Sequence, residues 1–129
     1  MASARPHRAL DLTGKRVLIV EDEFLLAMQV ESELLASGCT FLGPYTNLSA
    51  ALSAARSAHI DLALLDINLD GEMVYPLADE LTARGVPFVF VSGYGTADLP
   101  VRFRANPRVG KPFEPALLVE TIRRAIAPG

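Results

Sequence analysis

The chain has 129 residues, half of them hydrophobic and about a fifth charged, the size and balance of one globular domain. A net charge of −3 with no basic stripe gives nucleic-acid binding no electrostatic support, and no apolar run reaches the roughly 18 residues that a membrane helix needs. The single cysteine, Cys39, leaves no internal disulfide to form and fits a reducing, cytoplasmic setting.

MASARPHRAL opens the chain with two Arg and a His but no apolar segment, so it is not a secretory signal. Residues 1–13 read as a flexible extension and 14–129 as the folded unit. Arg16–Val20 (RVLIV) is rich in β-branched residues and predicts a buried strand; Glu21, Asp22 and Glu23 follow it directly. Phe24–Ser37 predicts a helix with Leu25, Met28, Ser32 and Leu35 on its inner face, stopped by Gly38. Cys39–Leu42 is a short second strand closed by Gly43-Pro44. Leu48, Ala51, Leu52 and Ala55 share one face of a second helix.

Leu62–Leu65 predicts a third strand ending at Asp66, and Asp70-Gly71 a plain turn. Met73–Arg84 predicts a helix with Pro76 in its first turn and Gly85 beyond its end. Pro87–Val91 (PFVFV) is a fourth strand, followed by a glycine-bearing loop over Ser92–Thr96. Leu99–Arg104 is a short, poorly specified helix and Arg108–Gly110 a weak fifth strand. Leu118, Ile122 and Ala125 form the inner face of the last helix.

The βα unit thus repeats five times, which implies an α/β fold: a five-stranded parallel sheet with helices on both faces. Right-handed crossovers leave few topologies, of which the flavodoxin-like order 2-1-3-4-5 is the most economical. Ligands in such sheets collect at the carboxyl ends of the strands, near the switch in strand order. The chain ends soon after the fifth helix, so no output domain is expected.

The groups that follow the strands can converge there. They are Glu21 and Asp22 after the first, Asp66 and Asn68 after the third, Ser92 after the fourth and Lys111 after the fifth. Clustered carboxylates repel, and a hard cation such as Mg²⁺ offsets that repulsion because it takes one or two carboxylates with waters and substrate oxygens. A carboxylate can accept a phosphoryl group, and a lysine, a hydroxyl and a metal suit the charge that spreads over the transferred oxygens.

The segments VLIVEDE, LALLDINLDG, FVFVSGYG and VGKPF, in that order and each at a strand end, resemble the receiver domain of bacterial response regulators. The resemblance spans about residues 15–126. It implies that Asp66 is the phosphoacceptor, that Glu21 and Asp22 form the acidic pair with Asp22 a direct Mg²⁺ ligand, and that Asn68 offers its backbone carbonyl to the metal. It also places Ser92 as the hydroxyl switch residue and Lys111 as the phosphate-binding lysine, with a cis Lys111-Pro112 bond. The stretch from Gly71 to Gly95 is similar to stand-alone receivers of alphaproteobacteria that carry a Phe-Ala-Thr-Gly-type motif, here Phe90-Val91-Ser92-Gly93. Such receivers imply a sensor histidine kinase, often of the HWE class, or a histidine phosphotransfer protein as donor. They further imply an output by protein-protein interaction, by phosphorelay or as a phosphate sink, with a downstream protein partner, no nucleic acid or membrane, and a monomer or phosphorylation-dependent homodimer. They are not enzymes beyond catalysing their own phosphorylation and dephosphorylation.

One position departs from the family. Three residues before the lysine, receivers keep Tyr or Phe, and here stands Arg108. The usual aromatic switch cannot operate, which shifts attention to the loop Tyr94–Pro100 as a segment that orders on phosphorylation. Arg108 itself either pairs with a nearby acid or contacts a partner; Tyr94 is either a lid or a partner contact. Other residues have plainer readings. Glu23 is a solvated acid at a helix start, Asp70 a turn residue, His59 an exposed loop residue and Cys39 a small buried hydrophobe. Two rivals remain: a phosphorylation-independent interaction module, and an aspartyl-phosphate hydrolase. The second fits poorly, because those enzymes carry the nucleophile after the first strand and a second acid two residues on, where this chain has Asn68.

Overall fold

A computed structural model describes residues 10–93 and 99–127. Five parallel strands, β1 (Arg16–Val20), β2 (Thr40–Tyr45), β3 (Leu62–Asp66), β6 (Phe88–Ser92) and β7 (Arg108–Gly110), form one sheet in the order β2-β1-β3-β6-β7. An antiparallel ribbon of β4 (Asn68–Leu69) and β5 (Glu72–Met73) stands apart from it. Without that ribbon the order is the expected 2-1-3-4-5. Helices α1 (Phe24–Leu34), α2 (Leu48–Ser57), α3 (Tyr75–Ala83) and α4 (Pro115–Ile126) cover the sheet.

The two faces can be read from the alternation of side chains along the strands. Leu18, Val20, Ala63, Leu65, Phe88 and Phe90 pack in one cluster with residues of α2 and α3. Val17, Ile19, Leu62, Leu64, Val89 and Val91 pack in the other with residues of α1 and α4. Every residue of β3 and β6 is buried, as expected of central strands covered on both sides. Burying a leucine or phenylalanine contributes roughly 1.5–3 kcal/mol, so these strands are the anchor from which the site hangs.

Several local expectations change. The inner face of α1 is Ala27, Val30 and Leu34, not the predicted stripe; Leu25 is 79% exposed, Leu35 71%, and Met28 also faces outward. Apolar residues fall on more than one side of the helix, so periodicity offered two stripes. The one with small Ala27 and β-branched Val30 is the one that lies against the sheet. After Leu34 the chain tightens into a 3₁₀ turn, Leu35–Ser37, before Gly38. Gly38 has φ +87, and a Cβ there would sit 2.8 Å from Thr13 Oγ1.

Strand β2 runs through Gly43-Pro44 to Tyr45 rather than stopping before it, with a bulge against β1. Gly43 permits this: its φ is +101, and a Cβ would meet the Ile19 carbonyl at 2.6 Å. Met73, expected in a helix, pairs with Asn68 in the ribbon, so α3 starts two residues later at Tyr75. Asp70 and Gly71 form its turn, both at positive φ. Leu99–Arg104 contains only a 3₁₀ turn, Val101–Phe103. The Lys111-Pro112 bond is cis, as expected, and so is Gly43-Pro44.

Residues 10–13, expected in the extension, are part of the described fold. Leu12 is in the core beside Val17 and Leu34, Leu10 packs against the same cluster, and the Leu12 N–H donates to the Ser37 carbonyl at 2.8 Å. Residues 1–9, together with Tyr94 and most of the loop Tyr94–Pro100, lie outside the described residues. Among the described residues no helix is long and apolar enough to cross a membrane.

Candidate functional site

Strand register carries the polar groups to one edge. Val20 lies beside Leu65, so Glu21 leaves β1 where Asp66 ends β3. Asp66 pairs with Val91, which sets Ser92 next to it at the end of β6. Ser92 pairs with Gly110, and its carbonyl accepts the Lys111 N–H at 2.7 Å. Glu21 is fixed from the other side, its N–H donating to the Tyr45 carbonyl at 2.9 Å. The positions that the sequence placed at a common edge therefore meet. They line an open cleft of about 950 Å³ whose walls include Asp22, Asp66, Asn68, Ser92 and Lys111.

Glu21 and Asp66 are buried, 4% and 5% exposed, whereas Asp22 is exposed. Carboxylate oxygens of Glu21, Asp22 and Asp66 all lie within 4.8 Å of one another. Lys111 Nζ is 3.2 Å from each oxygen of Glu21, 3.4 Å from Asp66 Oδ2 and 3.3 Å from Glu23 Oε1. One ammonium thus faces three carboxylates, and a fourth stands nearby.

The electrostatics follow from burial and crowding. Burial pushes the Asp66 carboxyl up to about 7, helped by the negative charge of Glu21 and opposed by Lys111. Burial also raises Glu21, against the Glu23 backbone N–H and Lys111, which lower it. For Lys111, burial works to lower its pKa, but the charges of Asp66 and Glu21 more than offset this and hold it above the ordinary lysine value. Three hard oxygen donors this close, with only one cation among them, fit a small divalent cation such as Mg²⁺. The misfit charge is what such an ion would neutralise.

The ribbon holds Asn68. Its side-chain Oδ1 accepts the Gly71 N–H at 2.6 Å, and its own N–H points at Asp66 Oδ1 at 3.4 Å. The amide is occupied in the turn, which leaves the backbone of Asn68 beside the acids.

Two features were not legible beforehand. Glu23, read as a solvated acid, does begin α1, but its carboxylate reaches Lys111. Only its place two residues after Glu21 could have hinted at this. Tyr75 lines the cleft and stacks on Phe103, with ring centroids 5.6 Å apart; nothing local in the sequence marks the pair. Phe103 in turn packs edge-on against Phe88 and Phe90. Arg108 sits at the surface and donates to the Arg104 carbonyl at 3.3 Å; among the described residues it pairs with no acid. His59 is exposed as expected and lies 2.8 Å from Asp61. Cys39 is half-buried against the core.

Comparison with known proteins agrees with this fold. The family model for the response regulator receiver domain matches residues 17–123. The phyllosphere-induced regulator PhyR of Methylorubrum extorquens is 33% identical over 119 residues, covering 85% of this chain and 43% of that protein. The chain therefore spans less than half the length of this relative. The solution structure of SdrG from Sphingomonas melonis Fr1 superposes with a TM-score of 0.78 at 35% identity, covering 94% of this chain and all of that one. A BeF3-activated conformation of SdrG, from Pseudomonas melonis Fr1, gives a TM-score of 0.74 at 36% identity, covering 91% and 98%.

Proposed function

The chain belongs to the response regulator receiver family, and from that premise we propose that it accepts a phosphoryl group on Asp66 in a Mg²⁺-dependent reaction and passes the signal on by protein contact. The observation that carries this is the Lys111 ammonium within 3.4 Å of the buried Asp66 carboxylate, in a cleft shared with Asp22 and Ser92.

An Asp66 carboxylate oxygen attacks the phosphorus of a phosphohistidine. The new P–O bond forms as the P–N bond breaks, and the imidazole nitrogen leaves with the electron pair. Lys111 holds a transferred oxygen as a compact cation, and the Ser92 hydroxyl donates to another. Mg²⁺, when bound by Asp22, Asp66 and the Asn68 carbonyl, with Glu21 behind them, supplies the charge neutralisation that lets the carboxylate approach an anionic donor. The same neutralisation keeps Asp66 ionised at neutral pH, which the bare cluster opposes.

The donor is a sensor histidine kinase, such as one of the HWE class, or a histidine phosphotransfer protein, in the cytoplasm. Phe24, Leu25 and Met28 are exposed on α1, and Leu25 lines the cleft, so this apolar helix face suits a partner that must bring its histidine to Asp66. PhyR of Bartonella quintana, 27% identical, is named an anti-anti-sigma factor, which supports a protein as the downstream target too. The added charge, roughly −1.5 to −2, biases the receiver between two states as a monomer or homodimer.

Acetyl phosphate with Mg²⁺ is expected to label the wild-type protein, and Asp66→Asn to lose the label. An unlabelled wild type would instead favour a phosphorylation-independent interaction module.

A further inference from the structure

Resting on the phosphoacceptor reading, we propose that Glu23 is a positioning residue for Lys111: its carboxylate holds the ammonium at the outer lip of the cleft while Asp66 is bare, and releases it when a phosphoryl group arrives.

The argument begins with valence. A lysine ammonium has three N–H donors. In this structure three carboxylates, those of Glu21, Glu23 and Asp66, stand 3.2–3.4 Å from Nζ. Two N–H groups are hydrogen-bonded, to Glu21 Oε2 and Glu23 Oε1, and Asp66 Oδ2 stands at ion-pair distance, so an incoming phosphoryl oxygen competes with these carboxylates for the ammonium. The three are not equal. The side chains of Glu21 and Asp66 are 5% and 6% exposed, and that of Glu23 is 67% exposed. A carboxylate that returns to water loses little, because exposed ion pairs are weak. A buried carboxylate stripped of its cation loses much more. Glu23 is therefore the contact that yields.

The backbone of Glu23 is built for this. It precedes α1 and is fixed at both ends: its N–H donates to Glu21 Oε2 at 3.0 Å, and its carbonyl accepts the Ala27 N–H at 3.0 Å. Its side chain makes no capping bond to the helix. A residue whose only task was to start the helix would aim its oxygen at the free N–H groups of the first turn. Here the side chain turns to Lys111 instead.

The proposal separates contact from charge, and three variants do the same. Glu23→Gln removes the charge at constant size. Glu23→Asp keeps the charge but is one methylene shorter, so its oxygens reach the N–H groups of the helix start rather than Lys111. Asp70→Asn removes a charge from the same cleft wall at a residue that does not contact Lys111. Affinity for BeF3, the phosphoryl mimic, is measured at saturating Mg²⁺ by titration of amide resonances. Glu23→Gln and Glu23→Asp are both expected to bind about two- to fivefold tighter than wild type, the scale of one exposed ion pair, and Asp70→Asn to change less. The Lys111 side-chain ammonium resonance is expected to shift in both Glu23 variants of the bare protein and to coincide with wild type once BeF3 is bound. Binding unchanged in Glu23→Gln overturns the proposal. So does Glu23→Asp behaving as wild type while Glu23→Gln and Asp70→Asn shift alike, since charge alone would then account for the effect. A wild type that neither binds BeF3 nor takes label overturns the phosphoacceptor reading and this inference together.

Discussion

Asp66 at the acidic edge and Phe103 in the aromatic cluster behind Tyr75 are both buried, but they act on stability with opposite sign. Phe103 is 2% exposed and touches Tyr75, Phe88 and Phe90, whose ring centroids lie 5.5–6.3 Å away. Everything in that cluster favours the fold, through removal of apolar surface from water and edge-on ring contacts. Asp66 is 5% exposed and faces Glu21, and only part of its charge is offset by Lys111. That edge costs stability as long as it is bare. On the proposed function, a site that takes up a cation and an anionic group would be assembled before its charges are balanced, and the adjacent apolar cluster would hold the strand ends in place.

Truncating the cluster is the most direct way to break this comparison. Phe103→Ala is expected to destabilise the protein by about 3–5 kcal/mol, the usual range for a buried phenylalanine. Urea unfolding measures it. A loss below 1 kcal/mol would mean that the 3₁₀ turn carrying Phe103 is not part of the core.

The opposite sign is expected at the acidic edge. Asp66→Asn removes a carboxylate held up at about 7 from an ordinary 3.8, which at roughly 1.4 kcal/mol per pH unit corresponds to a few kcal/mol. The direction with pH follows from proton counting. Below pH 4 the group is protonated folded and unfolded, and contributes no difference. Between about 4 and 7 the unfolded chain has released its proton and the folded chain has not, so the folded state loses ground as pH rises. Above 7 the loss is complete. Melting temperature in EDTA is therefore expected to be higher for Asp66→Asn than for wild type at pH 7.5, with the gap closing toward pH 4. Mg²⁺ should raise wild type at pH 7.5 more than the variant, since the cation restores balance to the ionised cluster. A gap that is constant across this range would deny the electrostatic origin.

How much of each region was legible in the sequence follows from the same contrast. Asp66, Ser92 and Lys111 each stand at or just after the last residue of a strand, and parallel register fixes where they go. Knowing the strand order was therefore enough to bring them together. Glu23 escaped because its partner Lys111 is 88 residues away and reaches it only through side-chain length. The inner face of α1 escaped because a helix with apolar residues on more than one stripe does not reveal which one the sheet will accept. The Tyr75–Phe103 stack escaped because it joins α3 to a 3₁₀ turn, and neither element has a periodicity that aims a ring. Leu12 escaped because Leu10 and Leu12, two leucines in a short opening segment with no sustained period, carry no clear pattern.

Tyr75 is where the two regions touch, since it lines the cleft and stacks on Phe103. Tyr75→Leu keeps an apolar side chain but loses the ring contact, and should cost about 1 kcal/mol. Its sharper test is coupling. In wild type, BeF3 binding is expected to shift the amide resonances of Arg102, Phe103 and Arg104; in Tyr75→Leu those shifts should shrink while BeF3 affinity stays within about twofold, well under 1 kcal/mol. Undiminished shifts would show that the signal bypasses this ring.

The smallest effect belongs to the outer edge of the aromatic cluster. Arg102 lies over the Phe103 ring at 4.6 Å and donates through Nε and Nη2 to both oxygens of Asp79 on α3, at 2.8 and 2.9 Å. The geometry is bidentate, which favours the pair, but both side chains are half exposed, 55% and 49%, so water screens most of the attraction. Arg102→Ala is expected to lower the melting temperature by only about a degree or two, and adding salt should weaken the wild-type pair in the same direction. The ion pair therefore contributes little to stability, yet it ties the turn after β6 to α3 at the surface. If phosphorylation moves that turn, Arg102 and Asp79 must part at small cost, and a double-mutant cycle run with and without BeF3 reads this directly. Coupling present in the bare protein and lost with BeF3 makes the pair part of the reporting surface. Equal coupling in both states confines it to the resting fold, and the contrast between the two regions then ends at Tyr75.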